Sequence, residues 1–116
     1  METATSITER ITFKTIEGYV FVNFYEIVRI EARRNHIALF INNQSEPLLV
    51  LLCMQDVERK LGKNPVFFKC HRSHLVNLIY VQEFKEKDRI LVTQHGEIPI
   101  SEQYIKCFKD TYCKDN

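Results

Sequence analysis

Glycine is scarce in this sequence, with three residues among 116. So few leave no Gly-rich loop of the kind that cradles phosphates in cofactor sites. Cysteine pairing is absent too: Cys53, Cys70, Cys107 and Cys113 form no C-x-x-C unit. Cys70, His71 and His74 could be recruited by zinc, but the second ligand pair is missing. Free thiols, some buried as small hydrophobes, are the simpler reading. The longest apolar run, Leu48 to Met54, falls well short of the ~20 residues that span a bilayer. No basic-then-apolar leader precedes a small-residue cleavage site. A cytoplasmic protein with no membrane partner is the expectation.

Catalytic constellations are missing as well. Ser73 and His74 adjoin in sequence, which does not set a nucleophile against its base. Paired carboxylates, metal-ligand sets and phosphate loops do not occur. The chain is therefore expected not to be an enzyme, to need no cofactor and to take no small-molecule substrate.

Nor is there a strong excess of charge, since the net value is +1 at pH 7. Nucleic-acid binders are often far more basic, but distribution matters more than the sum. Between Arg59 and His74 lie five cations (Arg59, Lys60, Lys63, Lys69, Arg72) and no carboxylate. Acids gather elsewhere, at Glu83, Glu86 and Asp88 and at Glu9, Glu17, Glu26 and Glu31. A basic face on a nearly neutral body is consistent with this pattern.

What the chain does have is hydrophobicity at 45%, enough for one folded domain with a single core. Residues 1–9 read as a loose segment. Strands are expected over Ile11–Thr15, Tyr19–Val22, Phe24–Ile30, His36–Ile41, Leu48–Leu52, Val66–Cys70, Ile79–Phe84, Arg89–Thr93 and Ile98–Ile100. One helix is expected at Met54–Leu61, where Met54, Val57 and Leu61 share a face and Gly62 stops it. Glu102–Tyr112 can form a second short helix through Tyr104, Ile105 and Phe108. The fold class is all-β (β-dominated). No helix pair joined by a short Gly turn appears, so an ordinary helix-turn-helix is disfavoured.

The most informative stretch is Phe67 to Asn77, F-F-K-C-H-R-S-H-L-V-N. It opens as a strand and then sets Lys69, His71, Arg72, Ser73 and His74 just before apolar Leu75-Val76. A buried strand has no need of such a cluster, because each polar group in an apolar interior must find a partner. The strand therefore ends here and presents these groups outward, where arginine, hydroxyl and imidazole suit phosphates and base edges.

This run resembles the signature of the LytTR family of bacterial DNA-binding domains, a strand ending in His-Arg-Ser before Leu-Val-Asn. Gly96 to Ser101 with Tyr104 is similar to the family's closing segment. Ile27 to Glu31, then Arg33-Arg34-Asn35-His36 and Ile37 to Ile41, is similar to its first recognition loop. The resemblance covers roughly residues 10–109, leaving 110–116 as a tail. It implies stacked antiparallel sheets with one short helix, whose loops enter successive major grooves of double-stranded DNA at promoter repeats, with a homodimer on DNA as a further expectation. The opening methionine favours a free-standing regulator over one domain cut from a longer chain.

Candidate roles follow from residue type and from the resemblance together. Arg72 has a planar fork that grips guanine O6 and N7. His36 and Gln103 are further candidate base contacts. Arg33, Arg34, Lys69 and Ser73 are expected to hold phosphates, and Asn35 completes the first loop. Strand alternation would turn His71 away from Arg72, so His71 is expected to be hydrogen-bonded within the loop. Leu75 and Val76 read as core and Asn77 as a turn-stabilising side chain. One departure from the family stands after Ser101, where a basic residue is common and Glu102-Gln103 occurs here. That carboxylate, with the neutral total charge, raises the alternative of a protein-interaction module on the same scaffold with weak or lost DNA binding.

Overall fold

The structure is a computed structural model that describes residues 10–62 and 64–113. The expected loose segment 1–9 lies outside the described residues.

Alternation of apolar and polar residues builds the first hairpin, β1 (Arg10–Thr15) and β2 (Gly18–Asn23). Ile11, Phe13 and Val22 point inward, whereas Arg10, Thr12, Lys14, Tyr19 and Phe21 face out. Gly18 follows the turn at φ +144°, a region that only glycine occupies freely. A short 3-10 turn at Phe24–Glu26 leads into β3 (Ile27–Ala32) and β4 (Ile37–Ile41). Then come β5 (Leu48–Val50), α1 (Met54–Leu61), β6 (Phe67–His71) and β7 (His74–Asn77). The chain closes with β8 (Glu83–Lys85), β9 (Ile90–Thr93), β10 (Gly96–Pro99) and α2 (Glu102–Tyr112).

The strands form three antiparallel sheets: β1-β2, a central five-stranded sheet in the order β5-β4-β3-β7-β6, and β10-β9-β8. The central sheet is apolar on both faces and so supports two cores. Ile30, Leu39 and Leu75 on one face pack with Phe13 and Val22 of the hairpin and with Val57 and Leu61 of α1. Cys70 and Val76 on the other pack with Leu91, Ile98 and Phe108. The first hairpin, the central sheet and the third sheet with α2 are thus stacked layers. Each fully buried Ile, Leu or Phe in them contributes roughly 1.5–3 kcal/mol.

Strand dominance agrees with the sequence reading, and so does the second helix: α2 spans the tail expected to form one and closes the second core by packing Phe108 against Phe68 and Phe84, with ring centroids 5.4 and 5.2 Å apart. Three corrections stand among the described residues. The strand expected from Phe24 begins only at Ile27, because Asn23 accepts from the Tyr25 N–H at 2.8 Å and caps a 3-10 turn at Phe24–Glu26. Residues Ile79–Phe84 are not a continuous strand. Asn77 accepts a hydrogen bond from the Ile79 N–H at 2.9 Å and caps a 3-10 turn at Leu78–Tyr80. Only Glu83 onward pairs as β8. Finally, His74–Asn77 forms a strand that the sequence reading did not assign. It is central to the sheet, between β3 and β6.

Among the described residues, no helix is long and apolar enough to cross a membrane. The four cysteines are free thiols.

Candidate nucleic-acid interface

Strands β3 and β4 run out of the sheet at the same end as β6 and β7. This end carries two loops, residues 33–36 and the turn Arg72-Ser73. The Ala32 N–H donates to the Ser73 carbonyl at 2.8 Å and ties the loops together. A third segment joins them, because the Ser101 N–H donates to the Cys70 carbonyl at 2.8 Å. The start of α2 therefore lies beside the β6–β7 turn. His71, Arg72, Ser101, Glu102 and Gln103 line one open cleft of about 680 Å³. Three segments far apart in sequence meet at one end of one sheet.

Local chemistry sets each side chain. Ser73 N–H donates to His71 Nδ1 at 3.1 Å, so the imidazole holds the turn from inside. An accepting Nδ1 puts the ring proton of the neutral form on Nε2. The hydrogen bond expected of His71 is therefore present, but the alternation argument behind it is not. A bulge between Lys69 and His71 resets the pleat, and Arg72 belongs to the turn rather than to a strand. Both side chains consequently line the same cleft. Arg72 is exposed, as are Arg33, Arg34, Asn35 and Gln103; His36 and Ser73 are half-buried.

Lys69 is held apart from this group. It points toward α1 and donates to Glu58 Oε2 at 2.9 Å, in a cleft with Phe67 and Leu75. Glu102, the residue out of keeping with a phosphate-binding surface, has Arg89 Nη1 3.7 Å from its carboxylate. Both partners are well exposed, so the pair adds little stability while it offsets the local negative charge.

Beneath the loops runs a polar row that the sequence reading did not single out. Arg29 lies 3.7 Å over the Phe40 ring, donates from Nε to the His95 carbonyl at 2.9 Å and reaches Glu31 at 3.3 Å. Glu31 also meets Arg33 at 3.5 Å. Burial pulls the Arg29 pKa below its ordinary value, and Glu31 opposes the shift. Next across the sheet His74 pairs with Glu31 on β3 and with His71 on β6. Burial lowers the His74 pKa, and its Nδ1 has no hydrogen-bond partner among the described residues. Arg29-x-Glu31-x-Arg33 was a legible signal, since alternate positions of a strand share a face.

No group of three or more His, Cys, Asp or Glu able to hold an ion occurs among the described residues. Cys70 is fully buried, and desolvation pushes its thiol up to about 12. That keeps it protonated and a poor ligand.

The LytTr DNA-binding domain family model matches residues 17–112 of this sequence. Among solved structures, the LytTr DNA-binding domain of a protein described as a methyl-accepting/DNA response regulator from Bacillus cereus has a similar fold. The TM-score is 0.70 at 24% identity, covering 88% of this chain and 94% of that one. No curated protein matches the chain.

Proposed function

Because the chain belongs to the LytTr DNA-binding domain family, we propose that it recognises a specific duplex sequence by setting its two tied loops into the major groove. DNA binding and a role in bacterial transcription regulation come with the family. The finer reading concerns how this chain does it. Arg72 reads a guanine edge from the β6–β7 turn, and His36 and Gln103 are the flanking base contacts. Arg33, Arg34 and Ser73 hold phosphates, with Asn35 at the edge of the first loop. Lys69 reaches a phosphate only by exchanging Glu58 for it.

The observation that carries this reading is the convergence of the three segments, fixed by Ala32 to Ser73 and Ser101 to Cys70. Backbone bonds of this kind give loop side chains a defined spacing, which groove recognition requires. The related Bacillus cereus domain is part of a response regulator, and a similar role as a signalling output domain, acting in the cytoplasm, fits this chain. Promoter repeats bound by a pair of chains would give each copy one site.

Selection of bound fragments from a random duplex pool tests the reading, with Arg72→Ala run in parallel. The expected result is one shared motif for the wild type, relaxed at a single position in the variant. Absence of enrichment at low salt, from protein shown to be folded, would favour the interaction-module alternative.

A further inference from the structure

The hairpin β1–β2 carries an outward face that the three-segment interface does not use. Tyr19 and Phe21 are 64% and 61% exposed, and Ile16 at the hairpin tip is 86% exposed. Aromatics this exposed are usually tucked against something, and here each lies under a cation. Lys14 Nζ is 4.7 Å from the Tyr19 ring centroid, and the Arg10 guanidinium is 5.2 Å from that of Phe21. Among the described residues, no carboxylate shares the face: the outward positions are Arg10, Thr12 and Lys14 on β1 with Tyr19, Phe21 and Asn23 on β2. Glu17 in the turn is the nearest acid on the hairpin.

The face is continuous with the candidate interface. Leu51 N–H donates to the Lys14 carbonyl at 3.1 Å, which lays the end of β1 alongside β5. The tip residues Thr15, Ile16 and Glu17 share one groove with Asn35 and His36 of the first loop. The hairpin tip thus stands beside the loop proposed to enter the DNA.

We propose that this hairpin face, through Lys14 and Arg10 held on Tyr19 and Phe21, binds the sugar-phosphate backbone of duplex DNA flanking the recognised site. The proposal rests on the major-groove reading above. Charge complementarity favours DNA as the occupant, since the described residues of the face offer Arg10 and Lys14 and no acid. The aromatic platforms add pre-organisation. A lysine or arginine already settled on a ring loses less side-chain entropy when it meets a phosphate. Phosphate contacts of this kind extend the footprint without reading sequence.

The test compares two duplexes that share the selected core site, one ending at the core and one with about ten base pairs of arbitrary flank on each side. Wild type, Arg10→Ala/Lys14→Ala and Glu17→Gln are titrated over a range of salt. Wild type is expected to bind the flanked duplex several-fold more tightly than the core. The double variant should lose that gain, bind the core alone as wild type does, and show a salt slope on the flanked duplex shallower by about two. Glu17→Gln should bind the flanked duplex more tightly. A double variant that keeps the flank gain and the full slope overturns the proposal. So does wild type that gains nothing from flanks. If Arg10→Ala/Lys14→Ala changes only the sedimentation mass of the free protein, the face is a protein interface and the proposal falls. Failure of every protein to bind either duplex would instead remove the major-groove reading on which this one stands. All three substitutions are on exposed side chains, and circular dichroism melts check that the fold is kept.

Discussion

Ala32 and Ser73 lie 41 residues apart in sequence and share a 2.8 Å backbone hydrogen bond between the two loops. Both partners are backbone groups, so the tie between the loops does not depend on either side chain. Contacts made by one loop then depend on those made by the other.

Coupling between the loops is the first consequence. Arg34→Ala and Arg72→Ala, each on an exposed arginine, should both weaken binding to the selected site. In a double-mutant cycle the losses should fail to add, with a coupling on the order of 0.5–1 kcal/mol. Independent loops would give additivity within roughly 0.3–0.5 kcal/mol. Titrations of the four proteins against one duplex decide between the two.

Arg29 supports the same loops from below. It joins the Phe40 ring, the His95 carbonyl and Glu31. Gly96 lies beside it, at a backbone φ of +104° that favours glycine, and a Cβ there would meet Arg29 Nη2 at an ordinary contact distance of 3.6 Å. The Arg29 side chain is 11% exposed, so Arg29→Ala removes a stacked cation, leaves the His95 carbonyl without its donor and leaves Glu31 with Arg33 alone. Urea unfolding should show a loss of about 2–4 kcal/mol. A loss under about 0.5 kcal/mol, the range of ordinary surface substitutions, would mean that the row is ornament to the fold.

Much of this arrangement was readable before the structure. Met54, Val57 and Leu61 with Gly62 after them announced α1, and His71-Arg72-Ser73 announced the turn at the interface. Alternation in Ile11 to Thr15 fixed which side of the first hairpin faces in. Illegible features were those set by distant partners. His74–Asn77 is too short and too polar at its ends to read as a central strand, and only pairing with β3 and β6 makes it one. Ile79 to Phe84 looks like a strand because Ile79, Tyr80, Val81 and Phe84 are all strand formers, yet the Asn77 side chain turns the chain at Leu78. The bulge after Lys69 cannot be read locally, and it decides that His71 and Arg72 share a cleft. Lys69 belonged by composition to the basic run, but Glu58 from α1 claims it.

Asn77 yields a prediction about the fold rather than the site. It is fully buried, donates to the Ile27 carbonyl at 3.0 Å and accepts from the Ile79 N–H at 2.9 Å. Asn77→Ala leaves both backbone groups without that partner. The expected cost is about 2–4 kcal/mol, seen as a lower denaturant midpoint at unchanged slope. An unchanged midpoint would show that the 3-10 turn holds without its cap.

His74 makes stability depend on pH, with a sign that follows from its surroundings. It faces Glu31 and Arg29 on β3 and His71 on β6; burial is the largest influence and lowers its pKa from 6.5. Arg29 and His71 lower it further, and Glu31 works against them. The unfolded chain therefore holds more protons than the folded one between 6.5 and the lower folded value. In that window stability falls as pH falls, because uptake of a proton favours the unfolded state. Above 6.5 the ring is neutral in both states and the penalty vanishes. His74→Gln keeps a polar side chain but cannot titrate there. Chemical unfolding from about pH 7.5 to about pH 5 should show wild type losing more stability than the variant, with the two curves parting only below the ordinary histidine value. Parallel curves throughout would mean that His74 takes up its proton in the folded protein without cost, most simply by pairing with Glu31.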